Sequence, residues 1–396
     1  MEAELKRLSK RALGGAAVER PRRADEQTLL YPFDLDLAWL AVSYLRTPSR
    51  VLWDLYAARA MRLEPLYAEL LEWMKREDRG WLGSGLGISV EVKHTEGFPA
   101  GPLQLQGTVK NALIDGAQTR GIALHLEPEH PDLLISVRGA PPLISIDLGG
   151  GSQHQRGYRL DRGEAPLREN LAAQMLILAR WDARHDALVD PLSGSGTIPI
   201  EAALMARGAP LIRPPRVPLA ARIPCFAPLA ERTLVDLFPG ASPPIIAGEL
   251  DRKEIEGARR NARRAGVDDQ VIFLEGDFRR LDRGALERAL AELRPKGTRA
   301  DADLSRGLIL SNPPYGERLS AGEDLDPLYR DLRDFCLGMG SGWRAGFLIA
   351  NPALEEIFAR RPMLKKPMSN ARLRAQLVVY DLENAGDPEH DFDPTE

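Results

Sequence analysis

The sequence predicts an α/β fold, a mostly parallel sheet with helices on both faces, preceded by a smaller α+β unit. Three observations carry this reading. From about Asp186 to the C-terminal region, short apolar segments with strand character alternate with amphipathic helical segments, the pattern of a parallel sheet covered on both sides. Upstream of Leu148 strands and helices also mix, but in a shorter stretch without that regular alternation. Between the two lies Gly149-Gly150-Gly151-Ser152, a run that punctuates the chain and marks a hinge or boundary. With 396 residues, 44% of them hydrophobic, the chain can bury more than one core.

In order along the chain, residues 1–29 carry seven basic and five acidic side chains and read as a flexible or loosely helical arm. From Leu35 to Met74 apolar positions recur at helical spacing (Leu37, Leu40, Ala41, Tyr44; then Leu66, Leu70, Leu71, Met74), so this stretch reads as mostly helix. Ile88, Val90 and Val92 alternate as a strand does, Gln106 to Arg120 is helical, and Leu133–Val137 and Leu143–Leu148 are strands parted by Gly139-Ala140-Pro141-Pro142. Residues 30–148 form the first domain on this reading, and residues 149–382 the second. Within the second, the pairs are Ala187–Asp190 with Ile198–Ala206, Ile245–Leu250 with Arg252–Ala265, Val271–Leu274 with Arg283–Leu293, and Leu308–Ser311 with Asp326–Leu337; Gly346–Ala350 follows. The strand Gln376–Asp381 comes without a long helix before it and suits an antiparallel edge hairpin. Nine prolines between Ala209 and Pro244 indicate an extended insertion packed over the second domain. Residues 383–396 contain six acids and no Lys or Arg and read as a disordered tail.

Composition excludes several classes. Net charge is −4, so no global basic field draws the molecule onto nucleic acid, and any such contact is local. Cys225 and Cys336 are too few for a disulfide framework, and the six histidines have no metal-ligand spacing, so no metal is expected. No signal peptide or membrane span is read, and a cytoplasmic setting is expected.

Four segments carry chemistry. Asp190-Pro191-Leu192-Ser193-Gly194-Ser195-Gly196-Thr197 lies between a strand and a helix, where glycines let a ligand approach the backbone and the helix start presents free N–H groups. A P-loop requires Lys after the glycines, and this chain has Thr197-Ile198; a dinucleotide fingerprint requires glycine where Pro199 stands. Glu249, ending the next strand, can accept from two ribose hydroxyls, whereas Asp251 reads as a helix N-cap. Asp277 can accept from an adenine amine, and Phe278 can line its pocket. In Ser311-Asn312-Pro313-Pro314-Tyr315-Gly316-Glu317-Arg318, the prolines restrict the backbone so that the Asn312 side chain and the Pro313 carbonyl are held as acceptors, beside the flat face of Tyr315. An exocyclic amine is a poor nucleophile because its lone pair is delocalised into the ring; two acceptors on its hydrogens favour a pyramidal nitrogen, and a stacked ring holds an extruded base.

These motifs, with Arg156-Gly157-Tyr158-Arg159 and Ala165-Pro166-Leu167-Arg168-Glu169 upstream, resemble the THUMP-domain class I RNA methyltransferases. Within them the chain is most similar to the bacterial 23S ribosomal RNA guanine-N2 methyltransferases, over about residues 31 to 382. The resemblance implies a Rossmann-like seven-stranded sheet of order 3-2-1-4-5-7-6, with a THUMP RNA-binding module near residues 55–148 and only a shortened ferredoxin-like remnant before it. It implies S-adenosyl-L-methionine as cofactor, held by Asp190, Gly194, Ser195, Gly196, Thr197, Glu249, Asp277, Phe278 and Asn312, with Asn312, Pro313 and Tyr315 at the target base. The expected reaction is methylation of a guanine N2 in 23S rRNA. A tRNA guanine is the alternative substrate, and DNA adenine or protein glutamine a more distant one. Ser193 stands where many relatives have Cys, and no second methyltransferase domain follows in this chain, so one activity is expected. Methylation at carbon 5 of a pyrimidine, which uses a cysteine, is disfavoured because neither cysteine adjoins Asn312. Two basic groups are candidates for RNA phosphates: Arg156, Arg159, Arg162 and Arg168, and the acid-free run Arg360, Arg361, Lys365, Lys366, Arg372 and Arg374. Oligomeric state is left open.

Overall fold

The computed structural model describes all residues except 15–17, 26, 162–166, 212–216, 295–297, 299–301, 315–323, 371–372 and 384–396. It comprises two units, residues 1–153 with 210–235, and residues 154–209 with 236–396.

The first unit contains α1 (Glu2–Ala12), a two-residue pair β1 (Arg22–Arg23) and β2 (Leu29–Leu30), α2 (Leu35–Tyr44), β3 (Leu52–Ala57), α3 (Leu63–Met74), β4 (Leu86–Lys93), α4 (Pro102–Gln118), β5 (Leu124–Leu126), β6 (Leu133–Arg138) and β7 (Leu143–Asp147). Five strands form one mixed sheet of order β3-β7-β6-β4-β5. Its core gathers Leu66, Leu70 and Met74 of α3, Leu105, Val109 and Leu113 of α4, and Ile88, Ile135 and Ile146 of the sheet.

Leu35–Met74 is mostly helix, as expected, with 10 of its residues in α2 and 12 in α3, but a strand that the spacing did not announce separates them. Trp53 and Leu55 are buried on one face of β3 while Asp54 and Tyr56 alternate with them, and the strand pairs antiparallel with β7. Residues 1–29, read as a flexible or loosely helical arm, do contain a helix, but it is packed rather than loose. α1 buries Leu5 and Leu8, and Glu4 is a buried anchor: its carboxylate accepts from the Arg46 N–H at 2.7 Å, the Thr47 N–H at 3.1 Å and the Thr47 hydroxyl at 2.7 Å.

The second unit begins with α5 (Glu169–Leu178), β8 (Ala187–Asp190) and α6 (Thr197–Arg207). The proline-rich segment with its short helix α7 (Ala227–Ala230) then belongs to the first unit, not to the second domain as read from composition. Its apolar residues Ala220, Ile223, Phe226 and Leu229 complete the first core, which is the physical reason it goes there. The second unit continues with β9 (Ile245–Glu249), α8 (Arg252–Ala265), β10 (Ile272–Glu275), α9 (Arg283–Glu292), β11 (Gly307–Ser311), α10 (Asp326–Met339), β12 (Trp343–Ile349), α11 (Ala353–Phe358), β13 (Leu364–Asn370) and β14 (Leu373–Asp381).

Its sheet has the order β10-β9-β8-β11-β12-β14-β13. The first five strands are parallel, and β14 runs antiparallel to both β12 and β13. Two apolar clusters, one on each face, hold the layers: Leu188, Leu308 and Leu310 point into one with α5, α6 and α8, and Val189, Ile246 and Ile309 into the other with α9 and α10. At the start of the sheet the buried Asp186 accepts from Arg306 at 2.8 Å and Arg344 at 2.7 Å, joining β8, β11 and β12. No helix among the described residues is long and apolar enough to cross a membrane.

Replacing Glu4 by Ala removes a charged acceptor from two backbone N–H groups and a hydroxyl at residues that are nearly inaccessible, Arg46 at 2% and Thr47 at 3% exposure. The expected cost to the first unit is about 2–4 kcal/mol, seen in denaturant unfolding. Hydrogen exchange at Leu5 and Leu8 should rise towards that of free chain, and unchanged protection there would show that α1 is held by other contacts.

Candidate active site

The strand order reverses between β8 and β11, and at such a switch point the loops leaving the carboxyl ends of the two strands part and open a crevice. Asp190 ends β8 and Ser311 ends β11. Their backbone ladder stops earlier, at Val189 opposite Ile309. Side chains then take over the connection: the Ser311 hydroxyl donates to Asp190 Oδ1 at 2.6 Å, and the Leu192 N–H donates to the same oxygen at 3.2 Å. Asp190 is only 1% exposed. Burial, and secondarily the nearby charge of Glu249, outweigh these two hydrogen bonds and push its pKa up to about 7.

The loop after β8 is tied to the neighbouring strand. Glu249 Oε2 accepts from the Gly194 N–H at 2.9 Å, and Oε1 from the Asp251 N–H at 3.0 Å, so one carboxylate joins the glycine loop to the start of α8. Asp251 caps α8 through the Lys253 N–H, as its position in the sequence suggested. Gly196, the residue before α6, has φ of +80°, and a Cβ there would lie 3.0 Å from that of Ala258, so only glycine lets α6 and α8 approach this closely. Below the loop, the Asn261 amide donates to Ser195 O at 3.0 Å and to Asp161 O at 2.9 Å, and its oxygen accepts from the Asp161 N–H.

The next strand brings Asp277 to the same end of the sheet. The Gly276 N–H donates to Glu249 O, extending the β9–β10 pairing by one bond, and Asp277 then caps a 3₁₀ turn through the Arg279 N–H. Phe278, expected to line a pocket, is packed against the α10 side of the sheet. It is 4% exposed with its ring edge-on to Phe335, because the 3₁₀ turn directs it beneath the sheet.

Beyond Ser311, Asn312 is half-buried and Pro313 buried. The corner is fixed by α10, whose buried Tyr329 donates its hydroxyl to Pro314 O at 2.7 Å. Tyr315 lies outside the described residues. Asp190, Gly194 to Thr197, Glu249, Asp277, Asn312 and Pro313 therefore stand along the carboxyl ends of four neighbouring strands. Sequence reasoning missed Ser311, Asn261 and Tyr329. Ser311 could have been suspected from its place beside Asn312, but the other two act only through partners distant in sequence.

Two of the four upstream arginines read as phosphate contacts, Arg156 and Arg159, are held inside the fold instead. Arg156 and Glu201 of α6 form an ion pair at 2.9 Å with side chains 2% and 0% exposed, and Tyr158 donates to the same carboxylate at 3.0 Å. Arg159 pairs with Glu169, both largely buried. Arg162 lies outside the described residues.

Does the loop suit a bound cofactor? Two hydroxyls within it, Ser193 Oγ and Thr197 Oγ1, are buried and have no protein partner among the described residues. Polar atoms in that condition are costly unless something else satisfies them, and both border glycines that leave the backbone accessible. Among the described residues no three His, Cys, Asp or Glu side chains gather as a metal site. Cys336 is fully buried in α10.

Comparison with known proteins agrees with this geometry. The chain is 32% identical over 387 residues to "Ribosomal RNA large subunit methyltransferase K/L" of Syntrophotalea carbinolica, covering 94% of this chain and 51% of that protein. The chain thus spans about half the length of the curated relatives it matches. In fold it is similar to SMU.472 complexed with SAH (TM-score 0.72, 22% identity, 96% of this chain and 95% of the other) and to TrmN from Thermus thermophilus (TM-score 0.62, 21% identity, 96% and 95%). Residues 156–378 match the RMKL-like methyltransferase domain; the match takes in more than half of the chain and all four motifs of the crevice, and on it the chain belongs to that family.

Proposed function

We propose that this chain transfers a methyl group from S-adenosyl-L-methionine to the exocyclic N2 amine of a guanine in 23S ribosomal RNA. The observation that carries the reading is the junction of β8 and β11, where the glycine loop and the Asn312-Pro313 corner are locked side by side by the Ser311–Asp190 hydrogen bond. The printed name of the K/L relatives supports a ribosomal substrate. On this proposal the five-stranded first unit is a THUMP module that presents the RNA.

Ser193, Gly194, Gly196 and Thr197 hold the methionine part of the cofactor, Glu249 the ribose hydroxyls, and Asp277 the adenine amine. Glu249 already accepts two backbone N–H groups, so its remaining lone pairs serve the ligand while the others keep the loop in place. When bound, the cofactor supplies an electrophilic methyl on sulfur, which the N2 lone pair takes in line while the sulfur keeps the electrons of the broken bond. Asn312 Oδ1 and Pro313 O each accept one amine hydrogen, which withdraws the nitrogen lone pair from the ring and aims it. The methylated amine then loses a proton to water.

Three outcomes test this. Asn312→Ala should lower transfer by about 10²–10³-fold with donor affinity changed only a few-fold, whereas Glu249→Ala should weaken the donor about tenfold or more; equal loss of donor binding in both, read by calorimetry, contradicts the assignment.

Asp190 gives a pH signature. Its carboxyl is half-protonated near pH 7 in the free protein, and a cationic donor favours the ionised form. Donor affinity should therefore fall as pH drops through 7, and binding at pH 6.5 should release a proton, measurable by calorimetry in buffers of different ionisation enthalpy. Asp190→Asn should abolish that release; no release from the unsubstituted protein would place the positive charge elsewhere.

Mass mapping of ribosomal and transfer RNA from cells lacking the gene should reveal one missing N2-methylguanosine in 23S rRNA. Its loss from tRNA instead would move the substrate to the alternative class, and no loss in either RNA would end the proposal.

A further inference from the structure

The chain carries net charge −4, yet from Ala359 to Ala375 six of the residues are Lys or Arg and none is Asp or Glu. That local reversal coincides with a feature of the topology. In the second unit, β11 and β12 are parallel with Ser311 opposite Phe347, and β12 ends two residues later at Ile349, whose partner on β14 is Gln376. Being antiparallel, β14 starts higher than that. Leu373, Arg374 and Ala375 have no partner on β12, and they pair only with Asn370, Ser369 and Met368 of β13. The β13–β14 hairpin therefore rises past the end of β12, on the side of the sheet where Asp190, Glu249 and Asn312 sit. With a rise of about 3.3 Å per residue and about 4.8 Å between strands, the Arg374 backbone stands roughly 13 Å above and 10 Å beside Ser311. A flexible arginine or lysine shortens that gap to the span of one or two nucleotides.

Alternation along the hairpin gives each face a cation. Leu364 and Met368 pack on the α5/α6 side, so Lys366 between them lies on that face, and Arg374 lies on the other. Both are exposed, and neither has a hydrogen bond or ion pair among the described residues, whereas Lys365 is engaged by Glu355 at 2.9 Å. The contrast with α8, a more basic segment, is informative. There Arg252 is bound to Glu256, Arg260 and Arg264 to Asp161, Arg263 to Asp268, and Arg259 to the Phe273 carbonyl. Upstream of the site, Arg156 and Arg159 are likewise taken by Glu201 and Glu169. Cations left without an acidic partner, on a strand edge that overhangs the crevice, suit an extended polyanion laid across it.

We infer that the overhanging β13–β14 hairpin is a phosphate-binding rail for the RNA strand that delivers the target base, with Lys366 and Arg374 each holding one backbone phosphate beside the modified nucleotide. This rests on the RNA reading above and assigns a surface that the catalytic motifs do not include. Phosphate contacts of this kind set affinity and register without reading sequence.

The test uses the full chain, tritium-labelled donor and ribosomal RNA from cells lacking the gene, with K366A/R374A and the charge-conserving K366R/R374K. The Ala pair should raise KM for RNA about tenfold at physiological salt, with kcat at saturating RNA within about twofold and donor affinity and Tm unchanged. The slope of log KM against log salt should become shallower by about 1.4, two single-strand phosphate contacts at about 0.7 each, and K366R/R374K should restore both. An unchanged KM and salt slope in the Ala pair would overturn the rail, as would a loss confined to kcat or donor binding. Failure of the unsubstituted protein to methylate any RNA, while it methylates DNA or protein, would instead sink the RNA reading, so the two failures are distinct.

Discussion

One buried hydrogen bond, from the Ser311 hydroxyl to Asp190, organises the second unit. At a reversal of strand order the backbone ladder gives out exactly where a ligand crevice needs rigid walls, and here β8 and β11 lose their pairing one residue before Asp190. A carboxyl placed in that gap is expensive, because burial disfavours its charge. The same burial makes the bond to Ser311 strong and the geometry unique. Sign matters for what this does to the free protein. Between its ordinary value of 3.8 and about 7 the folded state keeps a proton that the unfolded chain has given up. The folded state thus binds more protons, and Asp190 subtracts stability progressively as pH rises through that window. The bond that joins the two strand ends is thus made at some cost to the fold at neutral pH.

Behind the crevice lies a second layer whose members never face it. Asn261 satisfies its amide against Ser195 and Asp161, and Arg156, Tyr158 and Glu201 form a buried group beside α6. Buried ion pairs seldom add net stability over apolar packing, but removing one partner leaves an unpaired charge. Their effect is positional: the loop from Ser193 to Thr197 is gripped from Glu249 on one side and Asn261 on the other, so its free hydroxyls and N–H groups point in one fixed arrangement.

What the sequence made legible follows from the range of the forces involved. Alternating strands and helices from Asp186 onward, the glycine loop, the Asp251 cap and the placement of Asn312 are all set by neighbours within a few residues, and they read correctly. The misreadings have distant causes. β3 sits in a stretch whose apolar spacing also fits a helix, and what selects the strand is β7, some ninety residues later. α1 looks like a charged arm until Glu4 meets Arg46 and Thr47. Prolines announced that residues 210–235 would not be an ordinary helix, but only the apolar contacts of Ile223 and Phe226 decide which core they join. The three-residue turn that sets the direction of Phe278 is likewise invisible in the apolar pattern.

Charge was the least readable property, and the reason is instructive. A count of arginines near the catalytic motifs says little, since guanidinium groups are as useful for fastening a fold as for gripping phosphate. Arg156, Arg159, Arg260, Arg264, Arg306 and Arg344 are each paired with a carboxylate of the same unit. Each such pair cancels its own field at a distance. What remains to attract a polyanion is the set of cations that folding leaves without acids, and a chain of net negative charge can still present one where its acids are excluded from a segment. In this protein that exclusion falls on the last hairpin of the sheet, the element that topology lifts above the crevice. The acid-free run itself is legible in the sequence; that it stands on the crevice side, past the end of β12, becomes visible only once the register of β12 with β14 is known.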